Sequence, residues 1–240
     1  MRRIRITVSY DGTAFHGWQI QPGLPTIQGV LEAILSGMEG KPVHVAGSGR
    51  TDAGVHALAQ VAAFSIENPI PPANLQRAVN RLLPPAVRVL SAEETHADFH
   101  PRFDAKGKTY EYRIFRGEVC SPFEWPYTYH HPYPLKEERM VECARAFEGE
   151  HDFSAFATSD VRDSDGKSKV RTIFSSVLER GNGRLTYRVR GSGFLKHMVR
   201  NVVGTLIEAG RGNLADVGRL PAKSGPTAPA KGLFLMSVEY

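Results

Sequence analysis

The sequence predicts an α+β protein made of two halves with the same element order, β-α-β-β-α-β. Three observations predict it. Stretches of alternating apolar residues recur along the chain, each half carries two amphipathic helical stripes at matching places, and turn residues separate these segments. This order is the ferredoxin-like or RRM-like unit, and two of them give mixed, mainly antiparallel sheets flanking a central cleft. The expected boundaries are 1–100 for an N-terminal α/β domain and 101–240 for a C-terminal one.

Strand 2–9 opens the chain, with Ile4, Ile6 and Val8 alternating with polar residues. Helix 26–38 places Ile27, Val30, Leu31, Ile34, Leu35 and Met38 on one stripe, with Thr26 as N-cap. Strands 42–47 and 58–66 follow. Helix 72–83 buries Leu75, Ala78, Val79 and Leu82, and Pro84-Pro85 stops it before strand 86–92. The second half repeats the order with strand 106–115, helix 136–147, strands 170–179 and 184–190, helix 194–209 and strand 233–239. Gly181-Asn182-Gly183 reads as the hairpin turn between its middle strands. In helix 194–209, Phe194, Leu195, Met198, Val199, Val202, Val203, Leu206 and Ile207 form a broad apolar face, and Gly210 and Gly212 end it. Segment 116–135, rich in proline and aromatics, is a long insertion, and 157–169 is a polar, mobile loop.

Bulk properties narrow the function classes. Apolar content of 41% and charged content of 23% are those of a globular protein. No run of about 18 apolar residues exists to span a membrane, and the start has no apolar leader segment. Cys120 and Cys143 lack a C-x-x-C spacing and suit free thiols in a reducing compartment, so the expected location is the cytoplasm. The histidines show no H-E-x-x-H pattern, so neither a metal nor a cofactor is expected. Residues 1–100 balance their charges, which places the whole excess of +5 downstream. From Arg180 to Arg200 stand Arg180, Arg184, Arg188, Arg190, Lys196 and Arg200 without one acid. A basic patch rich in guanidinium suits a phosphate polymer; acids supplied by neighbouring segments are the competing explanation.

The chemistry centres on Gly47-Ser48-Gly49-Arg50-Thr51-Asp52-Ala53-Gly54-Val55-His56-Ala57. It sets one carboxylate, Asp52, among glycines that let a backbone approach a bulky ligand, with Arg50 two residues upstream. A turn aspartate bonding its own backbone is the plain alternative. No Gly-Lys-Ser/Thr ending or third fingerprint glycine makes the segment a phosphate or dinucleotide loop.

Six blocks in order extend this reading: Tyr10-Asp11-Gly12-Thr13-Ala14-Phe15-His16-Gly17-Trp18-Gln19, the Asp52 loop with Gln60-Val61-Ala62-Ala63-Phe64, Lys108-Thr109-Tyr110-Glu111-Tyr112-Arg113, His151-Asp152-Phe153-Ser154-Ala155-Phe156, Gly193-Phe194-Leu195-Lys196-His197-Met198-Val199-Arg200, and Gly232-Leu233-Phe234-Leu235. Together they resemble the tRNA pseudouridine synthase A family across nearly the whole chain. The resemblance implies an isomerase that converts uridine to pseudouridine at positions 38, 39 and 40 of the tRNA anticodon arm, as a homodimer with tRNA lying across both subunits. It implies that Asp52 is the nucleophile, that Tyr110 contacts the target base and that Leu233 packs near it. Arg50 either keeps Asp52 ionised, fills the gap left by a flipped base, or ties the loop to its own domain. Lys196 departs from the family, which more often has an aromatic or histidine there, and 158–169 matches it poorly.

The reaction asks for little else. Breaking the C–N glycosidic bond builds positive charge at the sugar, which a carboxylate captures or stabilises. The uracil turns and rejoins through C5, with no redox step. The base must be flipped from its stack into a pocket with an aromatic neighbour. Arg188, Arg190, Lys196 and Arg200 are the candidate phosphate contacts. A non-catalytic, duplicated RRM-like RNA-binding protein is the alternative, but the Gly-Phe-Gly-Phe-Val run it calls for is not in the sequence; a glycoside or nucleoside hydrolase would need a second carboxylate, which the loop does not supply.

Overall fold

A computed structural model describes residues 1–158 and 168–240. The centre of the polar segment 157–169 therefore lies outside the described residues. The chain is α+β, with four α-helices among the described residues and mixed, mainly antiparallel strands. It divides into two compact units, Met1–Lys106 with Phe234–Tyr240, and Gly107–Leu233.

In the first unit β1 (Arg2–Tyr10) runs antiparallel to both β3 (His56–Ile66) and β4 (Val87–Thr95). The short β2 (Ala46–Gly47) pairs antiparallel with β3, so the order is β4-β1-β3-β2, that of a ferredoxin-like unit. Ile4, Ile6, Val8 and Tyr10 all point inward from β1, as period-two alternation requires. Helix α1 (Ile27–Glu39) packs Ile27, Leu31 and Leu35 into the core. Its first turn is capped by Thr26, whose hydroxyl accepts from the Gly29 amide at 3.3 Å, and it ends where Gly40 turns to φ 75°. Helix α2 (Pro72–Leu82) starts on Pro71-Pro72 and stops at Leu83, where the following proline forces an extended backbone.

The strand expected over 42–47 keeps only its last two residues. Val43 and Val45 are buried as an alternating strand would have them, but their amides donate to the Ser36 hydroxyl and the Glu32 carboxylate, both 2.9 Å away on α1. Side chains of the preceding helix replace a ladder there.

In the second unit β5 (Gly107–Phe115), β9 (Arg184–Gly191), β8 (Val170–Gly181) and β7 (Gly149–Asp152) lie side by side, each antiparallel to the next. The β8–β9 hairpin turns on Asn182 (φ 51°) and Gly183 (φ 69°), two successive left-handed residues as a type I′ turn needs. Strand β6 (Tyr129–His130), inside the insertion, adds to β5 in parallel. Helices α3 (Glu137–Arg145) and α4 (Met198–Arg211) cover this unit. Helix α4 begins four residues later than its apolar face predicts. His197 sits at φ 62°, and the Lys196 carbonyl is taken by the Thr158 amide at 3.2 Å.

The expected 100/101 boundary also differs from the two units. Strand β10 (Leu233–Glu239), read as the last strand of the second half, falls in the first unit from Phe234 onward. It pairs in parallel with β3 through Phe234↔His56 and Leu235↔Ala57. Its apolar run carries no signal of which sheet it joins. Among the described residues no helix is long and apolar enough to cross a membrane, and no group of three or more His, Cys, Asp or Glu is placed to hold a metal ion.

Candidate active site

Asp52 lies in the connection between β2 and β3, half-buried between the buried Thr51 and the exposed Ala53. The loop is held from behind by residues 10–18. The Trp18 amide donates to the Thr51 carbonyl at 3.0 Å, and the Gly54 amide to the Phe15 carbonyl at 3.2 Å. The loop closes on itself where Val55 N–H donates to the Asp52 carbonyl at 3.1 Å.

Two glycines make this close approach possible. A Cβ on Gly12 would stand 2.1 Å from the Val55 carbonyl oxygen. On Gly17, already at φ 85°, a Cβ would stand 2.5 Å from the Thr51 oxygen and 3.0 Å from the Asp52 carbonyl carbon. Both contacts are with backbone, which cannot swing away, so only glycine fits.

Buried side chains finish the support. Tyr10 and Thr51 hydroxyls meet at 2.8 Å. The Ser48 hydroxyl donates to Gln60 Oε1 at 2.6 Å, and Gln60 Nε2 donates to the Gly49 carbonyl at 3.0 Å. His56 is buried, and its Nδ1 accepts from the Gly12 amide at 3.1 Å. A nitrogen that accepts from an amide has no proton to give, so the 3.2 Å approach of Asp11 Oδ1 is a neighbour contact and not an ion pair. That Asp11 oxygen accepts instead from the amide and hydroxyl of Thr13. The His56 ring stacks on Phe234 with centroids 4.7 Å apart. The last sequence block thus reaches the end of the Asp52 loop within the first unit.

Arg50 is exposed on the same loop. His100 serves its own turn, with Nδ1 accepting from the amides of Arg102 and Phe103.

In the second unit Tyr110 is buried on β5 opposite Val189, with the Phe194 ring edge-on at 5.1 Å. Tyr112 is wholly buried and donates to the Pro229 carbonyl at 2.7 Å; burial pushes its phenol far up. Leu233 is buried where the chain leaves Gly232, and a Cβ on that glycine would press into the Tyr112 ring at 2.7 Å.

The basic residues of β9 stand on one face, where acids pair with Arg188 and Arg184. Arg188 donates to Glu111 at 2.9 Å and lies 3.6 Å from Glu179; Arg184 pairs with Glu124 of the insertion. Arg190 stacks over Phe174 at 4.7 Å. Burial raises the Glu111 carboxyl, but hydrogen bonds from Arg188 and Arg113 outweigh it and hold the group below the usual range. Lys196 is exposed at the entrance to α4, and Arg200 Nε donates to the Ala228 carbonyl at 2.8 Å.

With that geometry in place, similarity to known proteins is informative. The family model described as tRNA pseudouridine synthase matches residues 6–104 and 143–240, leaving β5 and the insertion between the matched stretches. The chain is 79% identical over 240 residues to tRNA pseudouridine synthase A of Solibacter usitatus (strain Ellin6076), covering the whole of both chains. It is 43% identical over 250 residues to the protein of that name from Lacticaseibacillus casei (strain BL23), and 41% over 247 to that from Acetivibrio thermocellus, again over the full length of each. These matches make the chain an intramolecular isomerase. It belongs to the tRNA pseudouridine synthase family, which isomerises uridine to pseudouridine in tRNA.

Proposed function

We propose that this chain modifies uridines 38, 39 and 40 of the tRNA anticodon arm with Asp52 as nucleophile, working as a cytoplasmic homodimer. The observation that carries the nucleophile is the support of its loop. Glycine contacts, backbone bonds and buried hydroxyls fix the residues on either side of one partly accessible carboxylate. A carboxylate held this way gains from orientation, since capture of a developing sugar cation or addition to the base needs a defined approach.

Tyr110 offers an aromatic plane and a hydroxyl to the flipped base, and Leu233 an apolar wall. Arg50, exposed on the nucleophile's own loop, suits insertion where the base has left the stack. Arg188, Arg190, Lys196 and Arg200 supply positive charge for phosphates, with Arg188 sharing its charge with Glu111. The homodimer and the anticodon positions rest on resemblance to the tRNA pseudouridine synthase A family.

The test uses purified protein and tRNAs carrying a single uridine at 38, 39 or 40, in chelator, with pseudouridine mapped at each position. Modification at those sites alone is the expected result, and product confined to another arm of the tRNA would overturn the positional reading. Light scattering with and without tRNA checks for two subunits.

A further inference from the structure

We propose that Tyr10 is a positioning residue for Asp52, acting through the Thr51 hydroxyl; this rests on the reading that Asp52 is the nucleophile. Tyr10 ends β1 and is 4% exposed, with its ring tilted against Trp18 at 6.2 Å. Its hydroxyl lies 2.8 Å from that of Thr51, the residue directly before Asp52 and itself 6% exposed.

Either hydroxyl can donate in this bond, and the fully buried Gln60 of β3 anchors the start of the same loop through Ser48 and Gly49. Each hydroxyl has one proton and two lone pairs, so the Tyr10–Thr51 bond holds whichever oxygen donates. The Thr51 backbone carbonyl is held independently by the Trp18 amide. The residue that carries Asp52 forward is thus gripped at both side chain and main chain by buried groups. Burial also keeps the phenol protonated, so the bond persists across the working pH range. Tyr10 orients and does not titrate.

A misplacement of about 1 Å in a reacting group costs about a hundredfold in rate, and the loss of one of several tethers costs a fraction of that. Tyr10→Phe and Thr51→Val each remove one hydroxyl and keep the shape. Each is expected to lower the single-turnover rate about tenfold, with Kd for tRNA within about twofold and the shape of the pH–rate profile unchanged. Thr51→Ser restores most of the rate. The double variant falls no further than either single one, because both remove the same bond. All rates are taken well below the unfolding temperature measured for each variant, so loss of fold does not enter.

Three results overturn the proposal: single variants at wild-type rate, losses that multiply in the double variant, or a loss confined to Kd. Asp52→Asn, measured alongside, separates the two readings. If it retains activity the nucleophile assignment fails, whatever Tyr10→Phe does.

Discussion

The Asp52 loop and the basic face of β9 both present charge beside a strand, and the contacts described around them differ in kind. Neutral hydrogen bonds and glycine-to-backbone contacts brace the loop, down to Gly17 pressed on Thr51. Ion pairs organise much of the β9 face: Arg188 with Glu111 and Glu179, and Arg184 with Glu124. Neutral contacts at close range are insensitive to salt and pH, whereas ion pairs are screened and titrate. The residues that flank Asp52 are thus framed by contacts that conditions leave alone. The β9 arginines belong to a network whose strength follows conditions.

Asp52→Ala or Asp52→Asn gives the largest expected effect. Isomerisation should fall by more than about a thousandfold while tRNA affinity stays within about twofold, since one small side chain adds little beside many phosphate contacts. Turnover within tenfold of wild type, read by pseudouridine mapping, would remove the functional meaning of the braced loop.

Gly17→Ala ranks next. The added methyl meets the Thr51 carbonyl at 2.5 Å from a backbone already at φ 85°. Unfolding should cost about 1–3 kcal/mol less, and the rate should drop about a hundredfold by displacing Asp52. Calorimetry and single-turnover kinetics check the two parts, and normal activity would show that the loop tolerates movement.

Tyr110→Phe should slow catalysis more than it weakens binding, because only the hydroxyl is lost; Tyr110→Ala should impair both. A wild-type rate for Tyr110→Phe would reduce Tyr110 to a packing platform.

The smallest change expected is on β9. Arg188→Gln removes a charged partner from the buried Glu111 and should lower stability by about 2 kcal/mol. It should also flatten log K against log salt for tRNA by at most about one unit. A lower unfolding midpoint with an unchanged salt slope would assign Arg188 to the fold alone. The pH dependence is signed: Glu111 has a depressed native pKa, so its contribution is present above the ordinary glutamate value. It is lost as pH falls through the lower native one. Glu111→Gln should therefore flatten the acid limb of the stability curve.

Legibility in the sequence followed how local the cause was. Helix α1 was readable at both ends because Thr26 caps it and Gly40 turns it, both acting within a few residues. The 42–45 stretch was not, since its amides are taken by Ser36 and Glu32 across a turn. Strand β7 escaped notice because Gly-Glu-His-Asp has no apolar alternation. The start of α4 depends on the left-handed backbone of His197, which no side-chain pattern encodes. Glycines and one carboxylate marked the Asp52 loop, and the family resemblance suggested its chemistry. The need for Gly12 and Gly17 arises only when a distant loop presses on them. The ion pairs of β9 are of the kind that the competing explanation invoked, acids from a neighbouring strand and the insertion. Their identity, Glu111, Glu179 and Glu124, required the register.

The parallel pairing of β10 with β3 has a consequence for how the molecule comes into being. During synthesis His56 leaves the ribosome long before Phe234, so the ring that stacks on it arrives only when most of the chain has been made. Contacts of such wide separation close late, because the intervening loop must first be ordered. The nascent first unit can pair β4, β1 and β3 early, leaving one edge of β3 waiting. Pulse-labelled hydrogen exchange during refolding should find the β1 amides protected before those of β10. Protection of β10 in the earliest phase would mean that β10 and β3 pair first. The Phe234 ring at the end of the Asp52 loop is thereby the last of that loop's described supports to arrive, after the bonds from residues 10–18 and from Gln60.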